Sequence, residues 1–290
     1  MPPAVAAAAS VLPVSILLAL LSSAMWGTSD FAGGLLSRRR PSYAVVGASQ
    51  AIGLAAATVV ALATGGFGEP RDWLLWAVLA GASGALGLVC FYAALASGTM
   101  GVVSPIAALG AIVPVAVGVL SGESPTLLAV LGIVLALAGA VAASGPELRG
   151  DTGARPVALA AIAGAAFGAA LTFLALGADS SPVMTLWGMR ATSVTGFALA
   201  AAYARNVGGL VARDAPSLAF IGLNDVGANL LFALATQQPG GLVSITSVLA
   251  SLYPVATVLL AWAILHERLL RVQQLGVAAA LAGVALVSLG

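Results

Sequence analysis

Residues 101–139, GVVSPIAALGAIVPVAVGVLSGESPTLLAVLGIVLALAG, and residues 241–283, GLVSITSVLASLYPVATVLLAWAILHERLLRVQQLGVAAALAG, are two copies of one pattern. Gly101, Ser104 and Pro114 stand three and then ten residues apart, and Gly241, Ser244 and Pro254 repeat both steps. Downstream, Glu123, Gly132 and Gly139 are matched by Glu267, Gly276 and Gly283 at intervals of nine and seven. Only the Pro-to-Glu interval differs, nine residues in the first copy and thirteen in the second. Four extra residues are about one helical turn, so the longer copy keeps its face and gains a turn. A chain that repeats itself in halves, and is apolar nearly throughout, has the layout of a two-repeat membrane protein.

Composition fixes the solvent. The 290 residues are 61% hydrophobic and 7% charged, with a mean hydropathy of +1.09. A soluble domain carries roughly 25% charge, and a single core cannot hide this much apolar surface without lipid. The chain therefore reads as an all-α polytopic membrane protein. Net charge is +1, and all eleven basic residues are arginine. Arg38, Arg39 and Arg40 form the longest basic run and have no aromatic-basic groove around them, so nucleic acid is not a partner. The single cysteine, Cys90, excludes a disulfide framework and supplies no metal cluster. No Gly-rich phosphate loop occurs, and no cofactor is implied. Residues 1–10 lack the positive region of a signal peptide, and the apolar run after them is long enough for a retained first span.

A bilayer core takes about 20 apolar residues per helix. Runs bounded by Gly, Pro and charge predict ten spans: 13–36, 43–64, 73–96, 99–121, 125–144, 156–177, 182–204, 215–236, 240–265 and 271–289. Period-two alternation, which a membrane barrel needs, is missing from them. Residues 13–144 and 156–289 then form two five-helix repeats joined by the polar loop 145–155. An odd number of spans per repeat sends the second copy across the membrane in the opposite sense, so the repeats are inverted and a shared site is expected near the midplane. Nine arginines fall on the connections after spans one, five, seven and nine, and only Arg71 falls on the others. Positive-inside counting places both termini outside.

Residues 254–286, PVATVLLAWAILHERLLRVQQLGVAAALAGVAL, resemble the closing signature of EamA-type repeats of the drug/metabolite transporter superfamily: a Pro inside one span, a Glu at its end, then a Gly-punctuated last span. Residues 104–140 resemble the same signature in the first copy. Trp26-Gly27 and Phe167-Gly168 resemble the aromatic–Gly step that opens each repeat. The resemblance implies spans one to four and six to nine around a central cavity, with five and ten peripheral. It implies export of small metabolites such as amino acids or drug-like compounds, and cytoplasmic termini. That last implication opposes the arginine count. The shortened Pro114–Glu123 interval and the triple arginine depart from the family pattern.

Ionisable groups inside a span are costly and mark functional sites. Arg190 and Asp225 lie near mid-depth on adjacent antiparallel spans, and the expectation is an ion pair. It serves either as a clamp between helices or as a carboxylate that exchanges Arg for a proton or a cationic substrate group. Asp225, Asn229, Phe232 and Thr236 recur on one face of span eight, and Ser244, Ser247, Ser251 and Pro254 on one face of span nine. Ser104 opens the matching, mostly hydroxyl-free stripe of the first copy. Such stripes serve helix packing or line a wet cavity. Trp26 sits too deep for an interfacial belt and is expected in the cavity, with Gln50, Tyr92 and Tyr253. Asp30 is expected to pair with the Arg38 cluster. Pro105, Pro114 and Pro254 break backbone hydrogen bonding within spans, as hinges or as static kinks.

An intramembrane enzyme has no support. His266-Glu267 lacks a second histidine four positions after the first, and no G-x-S-x-G elbow exists. A channel needs polar lining through both halves, whereas the polar groups gather in the second copy. The sequence thus points to a carrier of a small-molecule substrate in the lipid bilayer, in the plasma membrane of a bacterium. It leaves the oligomeric state open.

Overall fold

The computed structural model describes residues 13–97, 103, 106–143, 154–265 and 270–289. Ser104 and Pro105, both expected at the site, lie outside these residues, as do His266 and Glu267. The described residues contain helices and no strand. The first half supplies α1 (Val14–Ser37), α2 (Ser42–Thr64), α3 (Leu74–Ser97), α4 (Ile112–Leu120) and α5 (Leu127–Ala143). The second supplies α6 (Ala154–Ala178), α7 (Pro182–Ala204), α8 (Ala215–Thr236), α9 (Val243–Ala250), α10 (Tyr253–Leu265) and α11 (Arg271–Leu289).

Among the described residues, five helices are long and apolar enough to cross a membrane: Val14–Ser37, Ser42–Thr64, Leu74–Ser97, Ala154–Ala178 and Ala212–Thr236. Shorter apolar helices accompany them. Ends are set locally. Ser181 caps α7, its Oγ accepting from Met184 N at 3.2 Å with Pro182 in the first turn. Gly65, at φ 72°, closes α2 in the left-handed region where a side chain would be strained.

The span expected over 240–265 is two helices. α9 ends at Ala250, residues 251 and 252 turn, and Pro254 stands in the first turn of α10. Proline has no N–H and collides with the carbonyl four residues back, so a continuous helix through Ala250 and Pro254 is excluded. In the first half Pro114 likewise stands in the first turn of α4, directly after a 3₁₀ turn at Leu109–Ala111. Both copies therefore leave α geometry at the same point of their shared pattern, through a 3₁₀ turn in the first and a two-residue turn in the second.

The halves interlock reciprocally. α1 packs on α8, α3 on α6, α2 on α7, α4 on α9, and α5 on α11. The first two pairs join the first helix of one half to the third of the other. α2 with α7 and α5 with α11 join equivalent helices, and α4 with α9 joins the piece after the proline break of one half to the piece before it in the other. The directions are legible from the contacts. On α1, Ser22 Oγ donates to Ala228 O at 2.8 Å and Ser29 Oγ to Ile221 O at 3.1 Å, numbers rising on one helix as they fall on the other. The equivalent pair α2 and α7 is antiparallel by the same criterion: Ser193 Oγ donates to Gln50 Oε1 at 3.0 Å, and Trp187 Nε1 to Thr58 Oγ1 at 3.1 Å. So is α5 with α11. A Cβ on Gly132 would stand 2.8 Å from Gly283 O, one on Gly283 2.7 Å from Gly132 O, and one on Gly139 2.8 Å from Gly276 O. The repeated glycines thus form one backbone-to-backbone seam, the close approach small residues permit between membrane helices.

The aromatic–Gly steps seat against the breaks of the opposite half. A Cβ on Gly27 would stand 2.7 Å from Tyr253 O, and one on Gly168 would collide with Gly110 O. Glu123, at the end of the first copy, receives Val243 N at 2.6 Å and Ser244 N at 2.9 Å. It caps α9 from outside its own half, placing a carboxylate where the helix dipole favours negative charge. At the bundle's margin Arg40 pairs with Asp214 at 2.9 Å and donates to Gly209 O at 2.9 Å, tying the first loop to the seventh.

Gly168→Val should lower the thermal stability of the detergent-solubilised protein by about 1–3 kcal/mol, the usual cost of overpacking. Gly196→Ala, with nothing within 4 Å of the added Cβ, should leave it unchanged or raise it slightly. Melting curves followed by tryptophan fluorescence check both.

Candidate functional site

The polar groups of α1, α2, α7 and α8 converge on one carboxylate. Asp225, 6% exposed, accepts from four side chains. Trp26 Nε1 reaches Oδ1 at 3.1 Å, and Asn229 Nδ2 reaches the same oxygen at 3.0 Å. Gln50 Nε2 reaches Oδ2 at 2.7 Å, and Arg190 reaches it at 3.0 Å. Arg190, 1% exposed, also donates to Gln50 Oε1, which takes the hydroxyl of Ser193 as well. The pair expected from depth alone is present, with Gln50 bridging its two members. Nε and Nη2 of Arg190 have no partner among the described residues.

Geometry explains why these residues meet. Asp225 and Asn229 are one turn apart on α8, so one face carries both, and the Asn229 amide also bonds the Asp225 carbonyl at 2.7 Å. Gly53 on α2 lets α2 pack closely on α8, since its Cβ would fall 2.7 Å from Val226 Cγ2. In an environment of low dielectric an unpaired charge is expensive and a fully bonded pair is tolerated. The donors around Asp225 are what makes its charge bearable.

Asp30 departs from expectation. It does not join the arginine cluster. Among the described residues it forms no ion pair, and its one hydrogen bond comes from Tyr92 OH at 3.5 Å. Tyr92 enters because Gly33, one turn past Asp30, leaves a gap where a Cβ would strike the phenol ring.

A cavity holding about 640 Å³ of unoccupied space, its open part included, lies between the halves. Trp26, Asp30, Arg190, Asp225, Asn229 and Tyr253 line it. So do both breaks, through Ala107, Ala108 and Ala111 in the first half and Ala250 and Ser251 in the second, and so does Phe167 of the second aromatic–Gly step. Irregular backbone at membrane depth is tolerated where it borders such a space.

The other expected residues stand apart from the lining. Gln50 and Tyr92 sit one shell behind, bonded to Asp225 and Asp30. Phe232 is fully buried, its ring 6.1 Å from that of Trp26. Ser244 and Ser247 are buried, and their hydroxyls have no partner among the described residues. Pro114 and Pro254 are both buried beside the breaks. Sequence reasoning missed Ser193, Phe167 as a wall, and the Asp30–Tyr92 contact. Gly33 was the available signal for that contact.

A helical bundle with a charged, enclosed pocket between two interlocked halves defines a solute-transporting class of membrane protein. The chain belongs to the EamA-like transporter family, which it matches over residues 13–145 and again over residues 154–289. It is accordingly an integral membrane protein of the drug/metabolite transporter type, a family whose members generally catalyse no reaction. No curated protein matches the sequence. A solved structure described as the crystal structure of a protein is similar, with a TM-score of 0.76 and 19% identity over 95% of this chain and 96% of that one. At that identity the likeness shows the fold alone.

Gln50→Leu removes a donor from Asp225 and an acceptor from Arg190 and Ser193. It should cost about 1–3 kcal/mol, the penalty for buried polar groups left unpaired, measurable as a lowered melting temperature in detergent.

Proposed function

We propose that the chain is a secondary carrier of ten spans, arranged as inverted halves 13–144 and 156–289 around the cavity and joined by the loop 145–155. It moves a small amphipathic metabolite, amino-acid-like or drug-like, across a bacterial plasma membrane by alternating access. The observation that carries this reading is the pocket between the halves, bordered by a broken helix from each and floored by the buried Asp225–Arg190 pair. The antiparallel packing of α2 with α7 and of α5 with α11 supports the inversion: a two-fold axis across the helices reverses equivalent helices, and one along them does not. Five spans per half satisfy that reversal.

The substrate contacts Trp26, Asp225, Asn229 and Tyr253 directly, with Gln50, Tyr92 and Phe232 supporting them, Ser244 and Ser247 on α9, and Ser104 included as the counterpart of Ser244 in the repeated pattern. Pro105, Pro114 and Pro254 are the flexing points. Each half reaches across to the other's break through Gly27 and Gly168, so a rocking motion moves both breaks together. Energy comes from an ion or substrate gradient. Asp225 is the coupling group: taking up a proton weakens its hold on Arg190 and Gln50, and losing it restores the clamp. Export is the direction the family resemblance implies.

Reconstituted in liposomes and screened across metabolite classes with and without a pH gradient, the protein should give a saturable flux that the gradient accelerates. Asp225→Asn should reduce it at least ten-fold while the variant stays folded and inserted. A flux that does not saturate points to a channel and overturns the carrier reading. Normal flux in the variant removes the coupling role.

A further inference from the structure

The cavity holds two carboxylates and one guanidinium. Arg190 is committed to Asp225 through the 3.0 Å contact and the Gln50 bridge. Counted with both carboxylates and the guanidinium ionised, the lining is one cation short, and the carboxylate without a cationic partner among the described residues is Asp30. The neighbouring elements do not neutralise it. α3 contributes Tyr92 at 3.5 Å, α8 contributes Asp225 of like sign, and α10 contributes Tyr253. The arginines just after α1 do not reach it either: Arg40 is engaged with Asp214 and Gly209.

Beside Asp30 the cavity presents an orphan and an aromatic wall. Tyr253 OH is buried and has no hydrogen-bond partner among the described residues. A buried hydroxyl left open costs stability unless something arrives to bond it. The Tyr253 ring stands edge-on to Phe91 at 6.0 Å, and Phe91 stands edge-on to Phe167 at 5.6 Å. Phe167, Tyr253 and Trp26 line this space together with Leu88, Leu171, Met189 and several alanines and glycines. Aromatic faces attract cations, more strongly where water is excluded. The one guanidinium of the lining is paired with Asp225 through Nη1, and its Nε and Nη2 have no partner among the described residues, so its positive charge is offset while Asp30 has no cationic partner.

We infer that this pocket takes an organic monocation, an amine with an apolar or aromatic body, whose ammonium sits between the Asp30 carboxylate and the Tyr253 hydroxyl while its body lies against Phe167 and Trp26. The inference rests on the carrier reading and narrows its substrate. Asp30 is the charge-selecting residue, distinct from the Asp225–Arg190 clamp. A monocation brings the lining to neutrality. A zwitterion leaves it at −1 and adds a carboxylate that must be desolvated, and an anion brings it to −2.

The test compares four compounds of one shape on the purified full-length protein in detergent, read by tryptophan fluorescence and by thermal shift. They are phenethylamine, phenylalanine, phenethyl alcohol and phenylacetate. Phenethylamine should bind at least ten-fold more tightly than the other three. Asp30→Asn should lower its affinity at least ten-fold without changing that of the alcohol, and Asp30→Glu should restore part of the loss. The melting curves of the ligand-free variants establish that they are folded. Equal binding of phenylalanine or phenylacetate, no binding of the amine, or full affinity in a folded Asp30→Asn protein would each overturn the inference. Amine binding through Asp30 without flux of any solute in liposomes would instead remove the carrier reading and leave this site standing. Flux of another solute with no amine binding would do the reverse.

Discussion

A carboxylate and a guanidinium share one pocket inside a bundle built for lipid, and the polar architecture arises from the need to keep them there. Either charge alone at mid-membrane costs at least about 2.5 kcal/mol, and by some estimates much more. The pair survives because Gln50, Trp26 and Asn229 complete the coordination of Asp225. These five residues come from α1, α2, α7 and α8, so the cluster also joins the two halves. A binding site and a seam between repeats are here the same object.

Around that cluster the fold solves a second problem, how to leave irregular backbone in a membrane. Each half carries one broken helix, and each break faces the cavity or the aromatic–Gly step of the opposite half. Packing glycine against the break brings backbone to backbone, and the aromatic beside it turns into the pocket. Glu123 adds a further cross-tie by capping α9 from the other repeat. The glycines of the duplicated pattern are thereby explained in physical terms: Gly132, Gly139, Gly276 and Gly283 recur because each half uses them to approach its counterpart.

Much of this is legible in the sequence, and what is not has definable causes. Depth along two neighbouring spans suffices to pair Arg190 with Asp225, but not to set Gln50 between them, because Gln50 comes from the other half. The repeated glycines announce a close approach, though not that Gly132 meets Gly283. Sequence assigns Asp30 to the arginines eight residues on because proximity along the chain is visible, whereas Tyr92 arrives from sixty-two residues away. Glu123 reads only as the close of its span, since nothing in its neighbours names α9 as the partner. The two-helix character of residues 240–265 is implied by Pro254 but hidden by an unbroken apolar run.

The direct test of the account is a double-mutant cycle on the clamp. Asp225→Asn, Arg190→Gln and the double variant are compared with the parent by thermal melting of the detergent-purified protein. Each single change should destabilise by about 3–5 kcal/mol, because it strands a buried charge. The double variant should lose markedly less than the sum of the two. Strictly additive losses would mean that the two side chains do not depend on each other, and the interaction on which this description of the protein rests would be gone.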